Sequence, residues 1–173
     1  ITVYAAGTEG VTVMELLIVS DSHGDMEALH RAVYATRPDA VVHLGDHCAD
    51  ADELAGDFPG LPVLSVRGNC DYTDLTRSET LLRVFDGVRV FAAHGHRYGV
   101  KTGLLRIVYA AREQEAQLAL FGHTHSSHLS EEGGLWLLNP GACGGIRPTC
   151  AVVTIENGGF SCCLKEVYSE GVL

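Results

Sequence analysis

The sequence is poor in basic residues and has no long apolar run. Its 12 Lys and Arg stand against 22 Asp and Glu, a formal net charge of -10. A charge of this sign repels phosphate backbones over long range, which argues against a protein that coats nucleic acid. No apolar segment approaches the ~20 residues that a membrane helix needs. We therefore expect no membrane contact and a cytoplasmic location, while a small phosphorylated substrate at a local cationic site stays compatible with the composition.

The six cysteines lack the spacing of a disulfide or metal framework. They stand at positions 48, 70, 143, 150, 162 and 163, and no C-x-x-C pair occurs among them. This usage is typical of reduced intracellular thiols. The adjacent Cys162 and Cys163 should point to opposite faces if their segment is a strand.

The first thirteen residues differ from the rest of the chain. "ITVYAAGTEGVTV" has no initiating methionine, whereas "MELLIVSDSHGD" from Met14 is a typical start. We expect residues 1–13 to be an extension, from upstream translation or an added segment, that could still form an edge strand or arm. Residues 14–173 should form a single domain, since 173 residues with 46% hydrophobic content suit one globular core.

The first half of the chain alternates apolar runs with amphipathic segments. Such a βαβα order indicates a parallel sheet. The predicted strands are residues 15–20, 40–44 and 62–66, and the predicted helices are residues 25–36, which Pro38 should end, and 51–58.

The second half of the chain is predicted to form mainly β-hairpins. Turns are predicted at Asp86-Gly87, Gly133-Gly134 and Asn157-Gly158, each between alternating apolar runs. A helix over residues 101–116 and a strand over 117–121 separate the first hairpin from the second. The expected fold class is α/β (α+β): two packed mixed sheets, a β-sandwich flanked by helices.

Polar motifs follow five of the apolar runs, where open α/β sheets bind their ligands. They are "DSH" at 21–23, "GD" at 45–46, "GNCD" at 68–71, "HGH" at 94–96 and "GHTH" at 122–125. Any one of them occurs by chance, but the ordered set does not. Within the last, His123 and His125 are two residues apart and can face one volume.

The residue types favour a pair of divalent ions. Two ions ~3.5 to 4 Å apart need a shared ligand, and a carboxylate bridges most readily. Asp46 is central in the series and is the candidate bridge. Mixed carboxylate, imidazole and amide ligands suit manganese, our first choice, or iron, zinc or nickel, rather than calcium.

Together the five motifs resemble those of the calcineurin-like metallophosphoesterase superfamily, and within it the small YfcE-type bacterial and archaeal phosphodiesterases. The resemblance covers Met14 to about Val167 and implies a four-layer β-sandwich fold. It assigns one metal to Asp21, His23, Asp46 and His125. It assigns the other to Asp46, Asn69, His94 and His123. Asp46, Asn69, Cys70 and His94 become the candidate catalytic residues.

Cys70 departs from the wider superfamily, in which many members carry histidine at this place. The cysteine either lies near the leaving group or fills space beneath the site. Asp71 either orients a neighbour or caps a turn. Asp50 either accepts a proton from a ligand histidine or starts the short helix. His96 could reach substrate or support a ligand, whereas His43, within a buried strand, is expected to be structural.

The expected function is hydrolysis of phosphodiesters by a hydroxide bound to two metal ions. Arg67 and Lys101 could meet phosphate oxygens, although single charges usually lie on solvated faces. Two alternative functions stay open. A retromer subunit resembles this fold and acts through protein contacts, so the chain could be a binding scaffold with little activity. It could also be a phosphomonoesterase or protein phosphatase. The sequence leaves homo-oligomer formation open.

Overall fold

In a computed structural model, which describes residues 13–168, these residues form ten strands, three α-helices and one short 3-10 helix (His96–Tyr98). In chain order the elements are β1 (Val13–Val19), α1 (Met26–Thr36), β2 (Ala40–His43), α2 (Cys48–Asp57), β3 (Val63–Ser65), β4 (Thr80–Phe85), β5 (Val88–Ala93), α3 (Leu105–Glu113), β6 (Leu118–Phe121), β7 (Ser127–Glu132), β8 (Leu135–Pro140), β9 (Thr149–Glu156) and β10 (Gly159–Glu166). Residues 1–12 of the expected extension lie outside the described residues. Val13 already belongs to β1.

The first sheet has the strand order β10-β9-β1-β2-β3. Its β1, β2 and β3 run parallel, whereas β9 and β10 are antiparallel partners on the other side of β1. Helix α1 begins where the Asp25 side chain accepts a hydrogen bond from the Ala28 amide at 3.0 Å. It ends at Arg37, which adopts a left-handed conformation directly before Pro38. The predicted parallel half is confirmed.

The second sheet has the strand order β4-β5-β6-β8-β7. The central strands β5, β6 and β8 are parallel, and the edge strands β4 and β7 are their antiparallel hairpin partners. At the first hairpin turn Asp86 and Gly87 both have positive φ, at 42° and 82°. This is the conformation that a tight primed turn requires. All three predicted hairpins are present.

The main core lies between the two sheets, where Ile18, Val42 and Val153 belong to the same buried cluster as Leu120 and Leu138. Other apolar side chains of the first sheet pack against α1 and α2, and those of the second sheet pack against α3. The result is the predicted four-layer arrangement. On β10, Cys162 packs against the core while Cys163 is exposed, as expected for neighbours on a strand.

Helix α3 is shorter than the predicted 101–116. Thr102 donates its backbone N–H to the Gly99 carbonyl in a turn, and the helix begins only after Gly103. At its other end, Glu115 has a φ of 54° and cannot continue the helix. The apolar periodicity of the sequence continues through both turns, so the prediction overestimated the length of the helix. None of the helices in residues 13–168 has the length and apolar character to cross a membrane.

Candidate metal centre

Three buried polar side chains form the floor of a site at the carboxyl ends of the parallel strands. Asp21 follows β1, Asp46 follows β2 and His94 follows β5, with 0%, 2% and 1% of their surfaces exposed. Burial of uncompensated charge is costly, so carboxylates at this depth need cationic partners. Around this floor, His23, His125 and Asn69 are exposed, and the site opens to solvent.

The first group of side chains comprises Asp21, His23, Asp46 and His125. Each contributes one ligand atom, and these atoms lie within 4.8 Å of one another. Nε2 of His125 is 3.2 Å from Oδ1 of Asp21 and 3.4 Å from Nε2 of His23. The sequence places these residues in three separate loops, and the fold brings them around one volume.

The second group shares Asp46 with the first and adds His94 and His123. Nε2 of His94 lies 3.1 Å from Oδ1 of Asn69 and 3.2 Å from Nδ1 of His123. It is also 3.3 Å from Oδ2 of Asp46. The structure therefore brings together all seven candidate ligands, with Asp46 common to both groups.

The backbone fixes the orientation of the His94 ring. Its Nδ1 donates to the Leu44 carbonyl at 2.9 Å, which directs Nε2 into the site. Burial lowers the pKa of His94, but the hydrogen bond to Asp46 and the charges of Asp21 and Asp46 outweigh it and raise the pKa. Burial likewise raises the pKa of Asp46, yet hydrogen bonds from His94 and the Cys70 amide hold that pKa well below its usual range.

The donor set fits divalent cations. Oδ2 of Asp21 accepts from Ser20 Oγ and from the His123 amide, whereas the buried Oδ1 has no hydrogen-bond donor among the described residues. Lone pairs of imidazole, carboxylate and amide groups converge here. A cation at each group would satisfy these atoms, and nitrogen with oxygen ligands suits borderline transition ions.

Left-handed backbone is concentrated at this site. Five of the seven candidate ligands have positive φ: Asp21, His23, Asp46, His123 and His125. Such conformations are uncommon for residues other than glycine, and each costs of order 1–3 kcal/mol. The surrounding hydrogen bonds offset this cost. Strain of this kind clusters where side chains must be aimed at a ligand.

Asp71 organises the loops beneath the site. Its carboxylate accepts backbone hydrogen bonds from Asp46, His47, Cys48 and Gly68 at 2.7 to 2.9 Å. Helix α2 has no side-chain hydrogen bond from its own N-cap His47. Asp71, from a distant loop, accepts the hydrogen bonds of the first amides of the helix instead. Both expectations for Asp71, orienting a neighbour and capping a turn, describe aspects of this contact.

We expect Asp71→Asn to destabilise the fold by about 3 kcal/mol, because an amide cannot accept all these bonds and buried N–H groups would lose partners. Urea unfolding at pH 7 measures the loss. Burial raises the pKa of Asp71, but the backbone hydrogen bonds outweigh it, so the pKa is lowered on folding. The contribution of the carboxylate is thus present above its unfolded pKa of about 4, and it fades as the pH falls below that value.

The control is Asp52→Asn. Asp52 is exposed and pairs with Arg77 at 2.8 Å, a surface contact worth at most about 1 kcal/mol. Equal stability losses in the two variants, or a difference between wild type and Asp71→Asn that does not shrink in acid, would contradict this account of Asp71.

Asp50 supports the loop of His23 from the first turn of α2. It accepts from none of the candidate ligand histidines. Its carboxylate accepts from Ser22 Oγ at 2.6 Å, from the Gly24 amide at 2.8 Å and from His47 Nδ1 at 3.0 Å. It therefore holds the chain on both sides of His23 while it lies in the first turn of α2, which was the alternative expectation. His43 is structural: it is fully buried and its two ring nitrogens contact Ser22 Oγ and the Gly45 amide.

Cys70 lies on the exposed rim, so it does not fill space beneath the site. Its amide donates to Oδ1 of Asp46 at 2.8 Å, and its thiol is 3.5 Å from Nδ2 of Asn69. Burial, followed by the hydrogen bond to Asp46, raises the pKa of the thiol. His96 lies beside the second group, with its ring centroid 5.5 Å from that of His94. Burial and the charge of His94 lower the pKa of His96.

Two supporting residues were not predicted from the sequence. Asn139 is fully buried at the end of β8, where its Nδ2 donates to the Gly122 carbonyl and to Thr124 Oγ1. It thereby holds the loop between His123 and His125. Ser20 donates to Asp21 at 2.7 Å. The available signal for Asn139 was its position: like the candidate ligands, it is a polar residue at the end of an apolar strand.

Comparisons with known proteins find relatives along most of the chain. The calcineurin-like phosphoesterase superfamily domain matches residues 14–158. The probable metallophosphoesterase YsnB of Bacillus subtilis is 38% identical over 149 residues, which cover 83% of this chain and 86% of that protein. A phosphodiesterase of Methanocaldococcus jannaschii is 25% identical and covers 92% of this chain and 99% of its own.

Solved structures share the fold. The crystal structure of a predicted phosphoesterase from Streptococcus pneumoniae superposes with a TM-score of 0.71 at 29% identity, over 92% of this chain and 95% of that one. Vacuolar protein sorting 29 from Cryptosporidium parvum superposes with a TM-score of 0.72 at 15% identity, over 89% and 97%. At that identity the second likeness concerns the fold alone.

Proposed function

The chain belongs to the calcineurin-like phosphoesterase superfamily, and on that premise we propose that it hydrolyses phosphodiesters with two divalent metal ions, in the cytoplasm. The observation that carries the proposal is the pair of ligand groups that share the buried Asp46. A single ion would leave one group without a cation. A shared carboxylate between two such groups is the arrangement that two-metal hydrolysis needs.

In this proposal Asp21, His23, Asp46 and His125 hold one ion, and Asp46, Asn69, His94 and His123 hold the other. Manganese is our first expectation, given the mixture of nitrogen and oxygen donors. When bound, the two ions would polarise a phosphoryl group and lower the pKa of a water molecule near it. The protein's own part is orientation. Leu44 fixes the ring of His94, Asp50 fixes the loop of His23 and Asn139 fixes the loop of His123.

The choice of a diester rests on a relative, and the rim of the site bears on the leaving group. Cys70 occupies an exposed position where an imidazole could donate a proton to a leaving group. A neutral thiol is a weak donor, so substrates whose leaving group departs without strong acid assistance are favoured. The relative from M. jannaschii is named a phosphodiesterase, which supports the same choice.

A protein-binding scaffold is the second candidate, because vacuolar protein sorting 29 shares the fold. The ligand set argues against it. A scaffold has no need to hold seven ligand side chains together, five of them in costly left-handed conformations. Binding of metal without turnover of any phosphoester would favour the scaffold.

The test of the proposal is removal and return of metal. Chelation should abolish hydrolysis of an aryl phosphodiester, and manganese should restore it, since the attacking water would be activated by the ions. Calcium should not restore it, because calcium prefers shells made only of oxygen. Turnover of the diester and of the matching monoester is measured alongside metal content. Undiminished turnover in protein shown to be metal-free would overturn the proposal.

A further inference from the structure

Three basic side chains lie on the elements next to the second ligand group, and two of them are already engaged. Arg67 donates to Glu79 at 2.7 Å and to the Asp74 carbonyl at 3.1 Å. Arg97 donates to the same Glu79 at 3.1 Å. The guanidinium of Arg67 is therefore already held by an acidic neighbour, and its contact with phosphate oxygens stays a prediction.

Lys101 is the third, and its ammonium has no hydrogen-bond or ion-pair partner in the part of the chain that the structure describes. Lys101 is exposed, so its ammonium is open to solvent and available to an incoming anion, unlike the two engaged guanidinium groups. His96, earlier on the same loop, also has a buried ring nitrogen, Nδ1, for which the described residues offer no partner. The segment from His96 to Lys101 thus carries one buried ring nitrogen without a described partner and one exposed ammonium beside the site.

The position of Lys101 is fixed by its neighbours. Val100 is 5% exposed and packs in the cluster that includes Ala93 and Phe121, the last residues of β5 and β6. Its amide lies 3.4 Å from the Gly95 carbonyl. On the other side, Thr102 closes a turn onto Gly99 through both its amide and its hydroxyl. Lys101 is consequently held at the strand ends that carry His94 and His123.

The charge of Lys101 contributes to the lowered pKa of His123 at the site. Burial lowers the pKa of His123 most, and the charges of His94 and Lys101 lower it further. A compact ammonium on a flexible stem suits contact with a single phosphoryl oxygen.

We propose that Lys101 contacts a phosphoryl oxygen of the substrate on the His94 and His123 side of the site. This inference rests on the proposed function, because it adds a side-chain contact for the substrate phosphoryl group to the contacts that the metal ions would make. Lys101 is then a specificity residue: it favours anionic phosphoryl groups at this edge and leaves the rim at Cys70 for the leaving group.

The first experiment measures binding without turnover. Manganese-loaded protein is acetylated with acetic anhydride, with and without inorganic phosphate, and the modification of each lysine is followed by peptide mass spectrometry. The chain has one other lysine, Lys165 on β10, which serves as the internal control. Phosphate should slow acetylation of Lys101 roughly tenfold, the size of a charge-assisted contact, and leave Lys165 unchanged. Equal rates at Lys101 with and without phosphate would overturn the inference.

The second experiment compares Lys101→Gln with Lys165→Gln, which remove the same charge from the protein. Lys101→Gln should raise KM for the diester about tenfold with a smaller change in kcat, and Lys101→Arg should recover part of the loss. An unchanged KM in Lys101→Gln would count against the contact. The two proposals fail separately. If phosphate protects Lys101 but no diester is hydrolysed, the proposed activity is wrong and the contact stands. If diesters are hydrolysed but phosphate does not protect Lys101, the contact is wrong and the activity stands.

Discussion

Asp46→Asn should empty both metal positions together, and the rate of diester hydrolysis should fall at least about 100-fold. Loss of a residue that only hydrogen-bonds to a metal ligand typically costs about 10–100-fold, and loss of a shared ligand should cost more. The reason is the place of Asp46 in both ligand groups. An amide keeps the size of the side chain but removes one negative charge that two cations would share. Metal content per chain, measured by elemental analysis after gel filtration, should drop toward zero at both positions.

Asn69→Ala is the matched comparison. Asn69 contacts only the second group, through Nε2 of His94 at 3.1 Å. Its loss should therefore weaken one ion and spare the first group of Asp21, His23 and His125. A crystal of Asp46→Asn that holds two ions at full occupancy would remove Asp46 from the bridging role. The same conclusion would follow if Asp46→Asn and Asn69→Ala each lost only one ion, and lost the same one.

Gly68→Ala should be nearly as damaging, although position 68 offers no ligand atom. A Cβ on Gly68 would stand 2.2 Å from Oδ1 and 2.4 Å from the backbone nitrogen of Asp46. One of these atoms belongs to the backbone and the other is fixed by the Cys70 amide, so neither can yield without moving Asp46. We expect a stability loss of about 3 kcal/mol, the upper part of the range for overpacking, together with loss of metal from both groups.

The control for Gly68→Ala is a glycine in helix α2. A methyl group on Gly56 would have no heavy atom within 4 Å, so alanine meets open space there. Gly56→Ala should stabilise the protein by about 0.5 to 1 kcal/mol through its higher helix propensity. Thermal unfolding and metal analysis of the two variants form one experiment. A Gly68→Ala protein that keeps wild-type stability and both ions would contradict the expected clash between a Cβ at position 68 and Asp46.

Much of the fold could be predicted from the sequence because its signals are local. Apolar runs and D-G, G-G and N-G turns each depend on residues close in the chain, and each predicted element is present. The helix before β6 was overestimated because periodicity does not register the turns at Gly99 and Glu115. In the site, the candidate ligands could be named because each directly follows an apolar strand, and parallel strands end at a common edge.

The supporting residues could not be predicted in the same way. Asp71 accepts hydrogen bonds from residues more than twenty positions earlier in the chain, and nothing in "GNCDY" indicates which amides it meets. Asn139 stands seventeen residues from the carbonyl that it holds. Contacts of this kind depend on how two loops approach each other in space. A single sequence carries that information only through the complete fold.

Each ligand group draws side chains from both sheets. His125 of the second sheet joins Asp21, His23 and Asp46 of the first, and His94 with His123 joins Asp46 and Asn69. If two ions bind here as proposed, the thickness of the apolar filling between the sheets would set how far apart the two halves of each coordination shell stand. Substitutions deep in that filling, such as at Leu120 or Ile18, would then change the separation without touching a ligand. Affinity for metal would become a readout of core packing in the described domain.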